Sequence, residues 1–325
     1  MEIEPGLWQF KIPMPGPLEY VLSYVFRSAG GYTLVDPGWG SDEAFAALQR
    51  QLAEIGAGLP DLRRLLITHI HHDHYGLTAR VKEASGAEVL LHERDWQAVK
   101  PYLDDPDGAV EEMQGFLEMH GVPRDEIDAV PVPGQLLRDV IMRARPDLIL
   151  QGGEVIEGDG FRWEVIWTPG HSDGHICLYE RDKQILLSGD HVLPVITPHV
   201  AFRGGPGSNP LGDFLQSLEA LKPLAVRRVF PAHEFAFENL RQRIEEIELH
   251  HRERLEEMLA ALAAGPLTAY VVAHHVTWVT GDFRDFDFAM QGFAVRETVA
   301  HLEYAVHDGR LTKTLQDGIY RYSLS

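Results

Sequence analysis

The sequence contains a single cysteine, Cys177. One cysteine cannot form a disulfide within the chain, and such scarcity is typical of proteins in a reducing compartment. Residues 1–5 lack the basic start and apolar stretch of a signal peptide. No segment approaches the ~18 consecutive apolar residues of a membrane span. We therefore expect a cytoplasmic protein that does not contact a membrane.

Positive charge is also scarce, because 29 Lys and Arg residues face 49 Asp and Glu residues, for a formal net charge of −20. An acidic surface repels polyphosphates, so nucleic acid is disfavoured as a partner. Residues 265–325 hold seven acidic and five basic side chains, without the excess of basic residues that nucleic-acid-binding domains usually show. Small molecules are the expected substrates, and bound divalent ions would attract anionic ones locally.

The apolar pattern predicts two series of strands separated by helical segments. The first series is expected at 7–12, 20–26, 32–35, 65–67 and 87–91, with helices at 42–56 and 73–84. A helical insertion is expected at about 93–150, and a second series of strands at 154–156, 162–167, 176–180, 184–187 and 228–230. Two βα halves of this kind predict an α/β (α+β) sandwich.

The C-terminal part of the chain has a different pattern. A long amphipathic helix is expected at 235–264, and Gly265-Pro266 ends it. Helices at 269–274 and 294–305 and a β-ribbon at 309–322 then predict a winged helix. We therefore divide the chain into a main domain at 1–240, a linking helix at 241–264 and a winged-helix-like domain at 265–325. The last domain is expected to cover part of a cleft or to form a homodimer interface.

A dense group of potential metal ligands follows the predicted strand at 65–67. His69, His71, Asp73 and His74 stand within six residues, which is crowded for one tetrahedral ion and suggests two adjacent ions. Imidazole nitrogens and carboxylate oxygens are typical ligands of zinc. His171, Asp190 and His233 each follow another predicted strand, so the seven side chains are expected to meet at one edge of the sandwich.

The set His69-x-His71-x-Asp73-His74, His171, Asp190 and His233 resembles the metallo-β-lactamase superfamily, in its hydrolase branch with a glyoxalase-II-like metal motif, over about residues 5–240. The resemblance implies an αββα sandwich. It implies that one ion is bound by His69, His71 and His171, and the other by Asp73, His74 and His233, with Asp190 bridging them. Asp36 matches an aspartate that supports the metal loop. The tail resembles the winged-helix extension of the β-lactamase-like protein 2 subgroup.

These ligands imply a hydrolase in which a hydroxide shared by two divalent ions attacks the substrate and Asp73 orients it as the catalytic residue. Zinc is the expected metal, although manganese or iron would suit the same ligands. The expected substrate is a small ester, thioester or lactone. The alternative is an endoribonuclease or phosphodiesterase, because one animal member of the resembling subgroup cleaves RNA.

Four further residues are candidates for supporting a ligand or contacting the substrate. His175 and His191 stand close to predicted ligands, and His199 lies in the loop after Asp190. Tyr75 is interpreted either as a donor to a tetrahedral oxyanion or as a packing residue.

Overall fold

The computed structural model describes residues 1–127, 143–204, 207–279 and 281–325. Its larger sheet has seven strands that follow one another in chain order. Neighbours are antiparallel from the first strand to the fourth and parallel from the fourth to the seventh. The strands are β1 (Glu2–Glu4), β2 (Leu7–Pro13), β3 (Tyr20–Ser28), β4 (Gly31–Val35), β5 (Leu62–Leu66), β6 (Glu88–His92) and β7 (Leu148–Leu150).

The second sheet has five strands in the order β12-β11-β10-β9-β8, of which only β11 and β12 are parallel neighbours. They are β8 (Val155–Gly158), β9 (Phe161–Trp167), β10 (Ile176–Glu180), β11 (Ile185–Gly189) and β12 (Arg228–Pro231). Buried apolar side chains from both sheets form one cluster, which includes Leu22, Phe26, Leu66, Trp163, Leu178 and Phe230. The two sheets therefore pack face to face.

Helices cover the outer faces of both sheets, so the predicted αββα sandwich is confirmed. None of the helices in the described ranges combines the length and apolar character that a membrane span requires. The helices are α1 (Asp42–Glu54), α2 (His72–Tyr75), α3 (Thr78–Ser85), α4 (Glu93–Asp104), α5 (Pro106–Met119), α6 (Arg124–Ile127), α7 (Pro210–Leu221), α8 (Leu240–Ala261), α9 (Ala269–Ala273) and α10 (Phe288–His307).

Helix α1 shows how local sequence and packing agree. The Ser41 side chain accepts a hydrogen bond from the backbone N–H of Ala44, which is a common N-cap arrangement. Asp42 in the first turn interacts favourably with the positive end of the helix dipole. Leu48 and Leu52 are fully buried on the same face, where they pack against the larger sheet.

The single helix predicted at 73–84 is wrong, since this segment forms the two helices α2 and α3. The interruption lies where the backbone meets the loop after β4, because the N–H of Leu77 donates to the carbonyl of Gly38. A Cβ on Gly76 would lie 2.5 Å from the backbone nitrogen of Gly40. Glycine is therefore required at this contact, which keeps α2 short and fixes its position beside β4.

The long C-terminal helix begins later than predicted, at Leu240 instead of residue 235. Phe237 exchanges backbone hydrogen bonds with Val229 of β12, and Asn239 then adopts a positive φ of 61°. The helix predicted at 294–305 is longer than expected, because Asp287 caps it and its first residue is Phe288.

The helical insertion predicted at about 93–150 is wrong at its C-terminal end. Helices α4, α5 and α6 lie within it, but Leu148–Leu150 forms β7 at the edge of the larger sheet and pairs with β6. The run is too short to show strand periodicity, so only pairing with its neighbour reveals it. Part of the predicted insertion, residues 128–142, lies outside the described residues.

The C-terminal elements follow the order of a winged helix. Helices α9 and α10 are followed by the ribbon of β13 (Leu311–Gln316) and β14 (Ile319–Leu324). Their apolar residues share one core cluster with α7, α8 and the second sheet. Helix α10 also contacts the loop 191–203, because the N–H of Phe202 donates to the carbonyl of Arg296. This loop begins directly after Asp190, so the C-terminal elements lie next to the predicted ligands.

Candidate metal centre

The seven predicted ligands follow the ends of four strands that meet at one edge of the sandwich. The cluster from His69 to His74 follows β5 in the larger sheet. His171, Asp190 and His233 follow β9, β11 and β12 in the second sheet. Their donor atoms form two groups, each compact enough to share one metal ion, with all donor atoms of a group within 4.8 Å of one another. Each group contains ligands that follow strands of both sheets.

The first ligand group consists of His69, His71 and His171. His69 Nε2 lies 2.9 Å from His71 Nδ1 and 3.2 Å from His171 Nε2. Burial lowers the pKa of all three imidazoles below its ordinary value, and this effect outweighs the attraction of Asp190, which raises it. The rings are therefore neutral at pH 7, which is the form that offers a nitrogen lone pair to a metal ion.

The second ligand group consists of Asp73, His74, Asp190 and His233. His233 Nε2 lies 3.2 Å from Asp73 Oδ2 and 3.5 Å from Asp190 Oδ2. Burial lowers the pKa of His233, but the neighbouring carboxylates outweigh it and raise that pKa to about 10. At His74, too, burial lowers the pKa, but the neighbouring carboxylates outweigh it and raise that pKa well above its ordinary value. Protons on these rings thus balance the carboxylates, as a bound cation would.

Asp190 lies between the two groups. Its Oδ2 is 3.4 Å from His74 Nε2 and 3.5 Å from His171 Nε2, so one carboxylate oxygen approaches a ring from each group. His74 Nε2 and Asp190 Oδ1 are buried and have no hydrogen-bond partner among the described residues. Buried polar atoms without a partner are costly. A divalent ion suits these nitrogen and oxygen donors, so the residues fit the metal that the sequence implies.

Asp36 supports the metal loop through three hydrogen bonds. Its Oδ1 accepts from the N–H of Thr68, and its Oδ2 accepts from the Thr68 hydroxyl and from His74 Nδ1, at 2.7–2.9 Å. Protonation of His74 at Nδ1 leaves Nε2 directed towards the second ligand group. Asp36 also has a positive φ of 52°, a strained conformation that its position at the end of β4 imposes.

Two of the further candidates contact ligands. His175 accepts a hydrogen bond at Nε2 from the backbone N–H of Asp190, at 3.1 Å. His171 Nδ1 donates to the carbonyl of His199 at 2.8 Å, so the backbone of this residue, not its ring, orients the ligand.

The other two candidates make packing contacts in the interior. The Tyr75 hydroxyl donates to the carbonyl of Ala144 and the side chain is fully buried, which favours the packing interpretation. His191 is buried and packs edge-to-face against Phe214, with ring centroids 4.9 Å apart.

Asp95 is a supporting residue that the sequence analysis missed. Its carboxylate accepts hydrogen bonds from the N–H groups of Ile70 and Gly174 and from the Ser172 hydroxyl, at 2.7–3.0 Å. It thereby joins the loop that carries His69 and His71 to the loop that carries His171. Burial raises the pKa of Asp95 to about 6 in spite of these donors. Its position just after β6, at the same sheet edge, is the signal that would have identified it.

Arg203 is the second residue that was missed. Its Nη2 lies 2.7 Å from the carbonyl oxygen of His171 and 3.0 Å from His71 Nε2. Positive charge therefore stands next to the first ligand group, although the chain as a whole is acidic. No pattern in the sequence could have identified it, because Arg203 lies in an irregular loop outside any motif.

Two family patterns match the sequence. The pattern of the Metallo-beta-lactamase superfamily matches residues 16–233, and that of the Metallo-beta-lactamase-like C-terminal domain matches residues 255–325. Among solved structures, a metallo-beta-lactamase family protein from Thermus thermophilus is 34% identical, with a TM-score of 0.85 and full coverage of both chains.

Three curated relatives are similar over more than half of the chain. "Probable metallo-hydrolase YqjP" of Bacillus subtilis (strain 168) is 28% identical over 82% of this chain and 83% of its own. "Hydroxyacylglutathione hydrolase GloC" of Haemophilus influenzae is 29% identical over 62% of this chain and 76% of its own. "Acyl-coenzyme A thioesterase MBLAC2" of Gallus gallus is 30% identical over 55% of this chain and 58% of its own.

Proposed function

Since the chain belongs to the metallo-beta-lactamase superfamily and is a hydrolase of that superfamily, we propose that it hydrolyses small acyl thioesters at a centre of two divalent metal ions. The observation that carries this proposal is the position of Asp190, whose Oδ2 approaches rings of both ligand groups. A shared carboxylate holds two neighbouring ions together, and paired ions are suited to hydrolysis.

Each ligand has a distinct role in this proposal. The first ligand group would hold one ion, the second ligand group would hold the other, and Asp190 would serve both. Two such ions supply a hydroxide at neutral pH and polarise the acyl carbonyl. Asp73 is the proposed catalytic residue that orients the attacking hydroxide, because it is the most exposed carboxylate of the centre, at 20%. Asp36, His175 and the backbone of His199 fix the ring and carboxylate orientations.

The substrate class is inferred from two relatives and from charge. The names of GloC and MBLAC2 both describe the hydrolysis of thioesters, of glutathione in one case and of coenzyme A in the other. A thioester carbonyl needs only a nucleophile and a polarising group, and the proposed ions would supply both. The net charge of −20 disfavours RNA. Zinc is the proposed metal because the donors are imidazole and carboxylate, and manganese or iron would suit them too.

A substrate panel tests this function. The purified chain is stripped with a chelator, reloaded with zinc, and assayed with acetyl-coenzyme A, a simple lactone and a short single-stranded RNA. We expect zinc to restore hydrolysis of the thioester and to leave the RNA intact. Cleavage of RNA, or thioester hydrolysis that survives complete metal removal, would show that the proposal is wrong.

The Asp190→Ala variant tests the shared ligand. Because the second ligand group loses a carboxylate and the proposed bridge to the first group is removed, turnover should fall by more than ~100-fold, beyond the ~10–100-fold typical of residues outside the coordination sphere, and zinc content should decrease. Asp182→Ala is the matched control, since Asp182 lies exposed in the turn between β10 and β11. Full activity with two bound ions in Asp190→Ala would exclude a bridging role.

A further inference from the structure

Two arginine side chains lie beside the candidate centre. Arg203 lies in the loop after Asp190, and Arg296 lies on α10. The backbone bond from Phe202 to Arg296 brings the two segments together. Within the described ranges, neither guanidinium has an Asp or Glu within ion-pair distance, and Arg203 acts on the buried carboxylate of Asp95 only as a neighbouring charge.

Arg203 would lose one of its two contacts when the centre holds a metal ion. His71 Nδ1 faces His69 Nε2, so Nδ1 is the nitrogen that can bind an ion, and Nε2 must then carry the ring proton. The contact between Arg203 Nη2 and His71 Nε2 would place two donors opposite each other. Among the described residues, the carbonyl of His171 would then be the remaining acceptor of Arg203 Nη2. The second N–H of Nη2 would be available to a ligand, as are the N–H groups of Nε and Nη1, for which the described residues show no acceptor.

Arg296 has an unsatisfied donor in a more buried position. Its Nε is buried and has no hydrogen-bond partner among the described residues. The guanidinium lies over the ring of Phe116, with 5.7 Å between Cζ and the ring centroid. Burial, and after it the charge of Arg203, lowers the pKa of Arg296. An anion between the two arginines would relieve both the repulsion and the missing hydrogen bond.

We propose that Arg203 and Arg296 bind an anionic group of the substrate, a carboxylate or a phosphate on the thiol carrier of the acyl thioester. Guanidinium groups match the planar or tetrahedral oxygens of both anions. The partly exposed ring of Phe293, next to His199, gives the same region an apolar wall. This inference rests on the proposed function for the identity of the substrate, but the anion subsite depends only on the two arginines.

Binding of two unreactive probes to the zinc-loaded full chain tests the subsite. Desulfo-coenzyme A carries phosphates and no thiol, and S-methylglutathione carries carboxylates and a blocked sulfur. Calorimetry on the wild type, Arg203→Gln and Arg296→Gln gives the affinities. The control is Arg162→Gln, which removes the same charge at the opposite end of β9, where Arg162 pairs with Glu157.

We expect at least one probe to bind the wild type, and to bind each arginine variant about tenfold more weakly or worse, as the loss of a charge-assisted hydrogen bond predicts. The control should differ by less than about twofold, as expected for an exposed charge far from the site. Preference for desulfo-coenzyme A assigns a phosphate, and preference for S-methylglutathione assigns a carboxylate. Absence of binding by either probe, or equal affinity in Arg296→Gln and the wild type, overturns the subsite.

Metal content is measured for every variant, because Arg203 contacts two predicted ligands and Arg296 contacts none. If Arg203→Gln loses zinc, the probe affinity of Arg296→Gln alone decides whether the subsite exists. Neither probe contains a scissile thioester, so their binding is independent of hydrolysis. If the wild type binds a probe but does not hydrolyse the thioester, the proposed function is rejected and the anion subsite stands. If the wild type hydrolyses the thioester but Arg296→Gln binds the probes as well as the wild type does, the subsite is rejected and the proposed function stands.

Discussion

A buried carboxylate connects the loops of the first ligand group through hydrogen bonds from their backbones. Asp95 accepts hydrogen bonds from backbone groups of two loops that follow strands of different sheets. It lies in the first turn of α4, so the loops are aligned against a rigid element. Burial raises its pKa to about 6, so the ionised form at pH 7 is retained at a cost that the three donors offset.

Replacement of Asp95 should weaken metal binding in a graded way. Asp95→Asn keeps the shape and one acceptor oxygen, whereas Asp95→Ala leaves the N–H groups of Ile70 and Gly174 unpaired. We expect zinc affinity to fall by about 10–100-fold in the Ala variant and by less in the Asn variant, as for other residues that orient ligands. Competition with a coloured chelator measures the affinity. Equal affinities in all three proteins would show that the loops hold their positions without Asp95.

At the scale of elements, the loop 191–203 is held from two directions. The guanidinium of Arg243 on α8 donates to the carbonyls of Leu193, Val195 and Ile196. On the other side, His199 Nε2 lies 3.1 Å from the carbonyl of Phe293 on α10. Since the backbone of His199 orients His171, the packing of α10 reaches the first ligand group through a single loop residue.

Glu297 on the same helix should make stability depend on pH. Burial raises its pKa to about 7, in spite of the nearby Arg254. His199 lies 3.7 Å away, but burial lowers the pKa of that ring to about 3, so no ion pair forms at neutral pH. Because the folded protein holds the Glu297 proton more tightly than the unfolded chain does, this contribution to stability is complete below about pH 4.5 and is lost as the pH rises through 7.

The Glu297→Gln variant removes this ionisation. We expect it to resemble the wild type at pH 5 and to be more stable at pH 9, with a gap of up to about 3 kcal/mol in the free energy of unfolding. Urea denaturation at both pH values measures the gap. Glu245→Gln is the control, because Glu245 is exposed on α8. A gap of the same size at both pH values would contradict ionisation of Glu297 as its cause.

At the scale of the whole molecule, the candidate centre spans the boundary between the two sheets. Each ligand group combines side chains that follow β5 with side chains that follow strands of the second sheet. Bound ions would therefore connect the two halves of a chain whose one cysteine is a buried free thiol.

Removal of metal should lower the stability of the whole chain. A ligand at 100 times its Kd stabilises the folded state by about 2.7 kcal/mol, so stripping bound ions should lower the Tm by about 5 °C or more. Differential scanning calorimetry before and after chelation measures the shift, and added zinc should reverse it. An unchanged Tm, with loss of metal verified by elemental analysis, would show that the ions do not connect the halves.

The sequence was most informative where one rule applied repeatedly. Ligand-type residues directly after short apolar strands predicted that His69, His171, Asp190 and His233 would meet, and they do. The rule depends only on strands ending at a common edge. It would have found Asp95 as well, had the acidic residue after β6 been treated in the same way.

Contacts between distant segments account for what the sequence could not predict. The break between α2 and α3 depends on the loop at Gly38–Gly40, and β7 depends on pairing with β6. Arg203 could be recognised as part of the site only from its contact with His71. None of these features leaves a periodic trace, because each is decided by a partner far away in the chain. The domain limits at 240 and 264 stay a prediction.

The division of each ligand group between the sheets also constrains how the molecule assembles. Neither half of the sandwich carries a complete ligand group, since His171 is missing from one and His69 and His71 from the other. Tight binding of both ions should then follow the docking of the halves. The amount of tightly bound zinc in a preparation would accordingly report the fraction of fully folded molecules, and a partly folded chain should bind zinc more weakly.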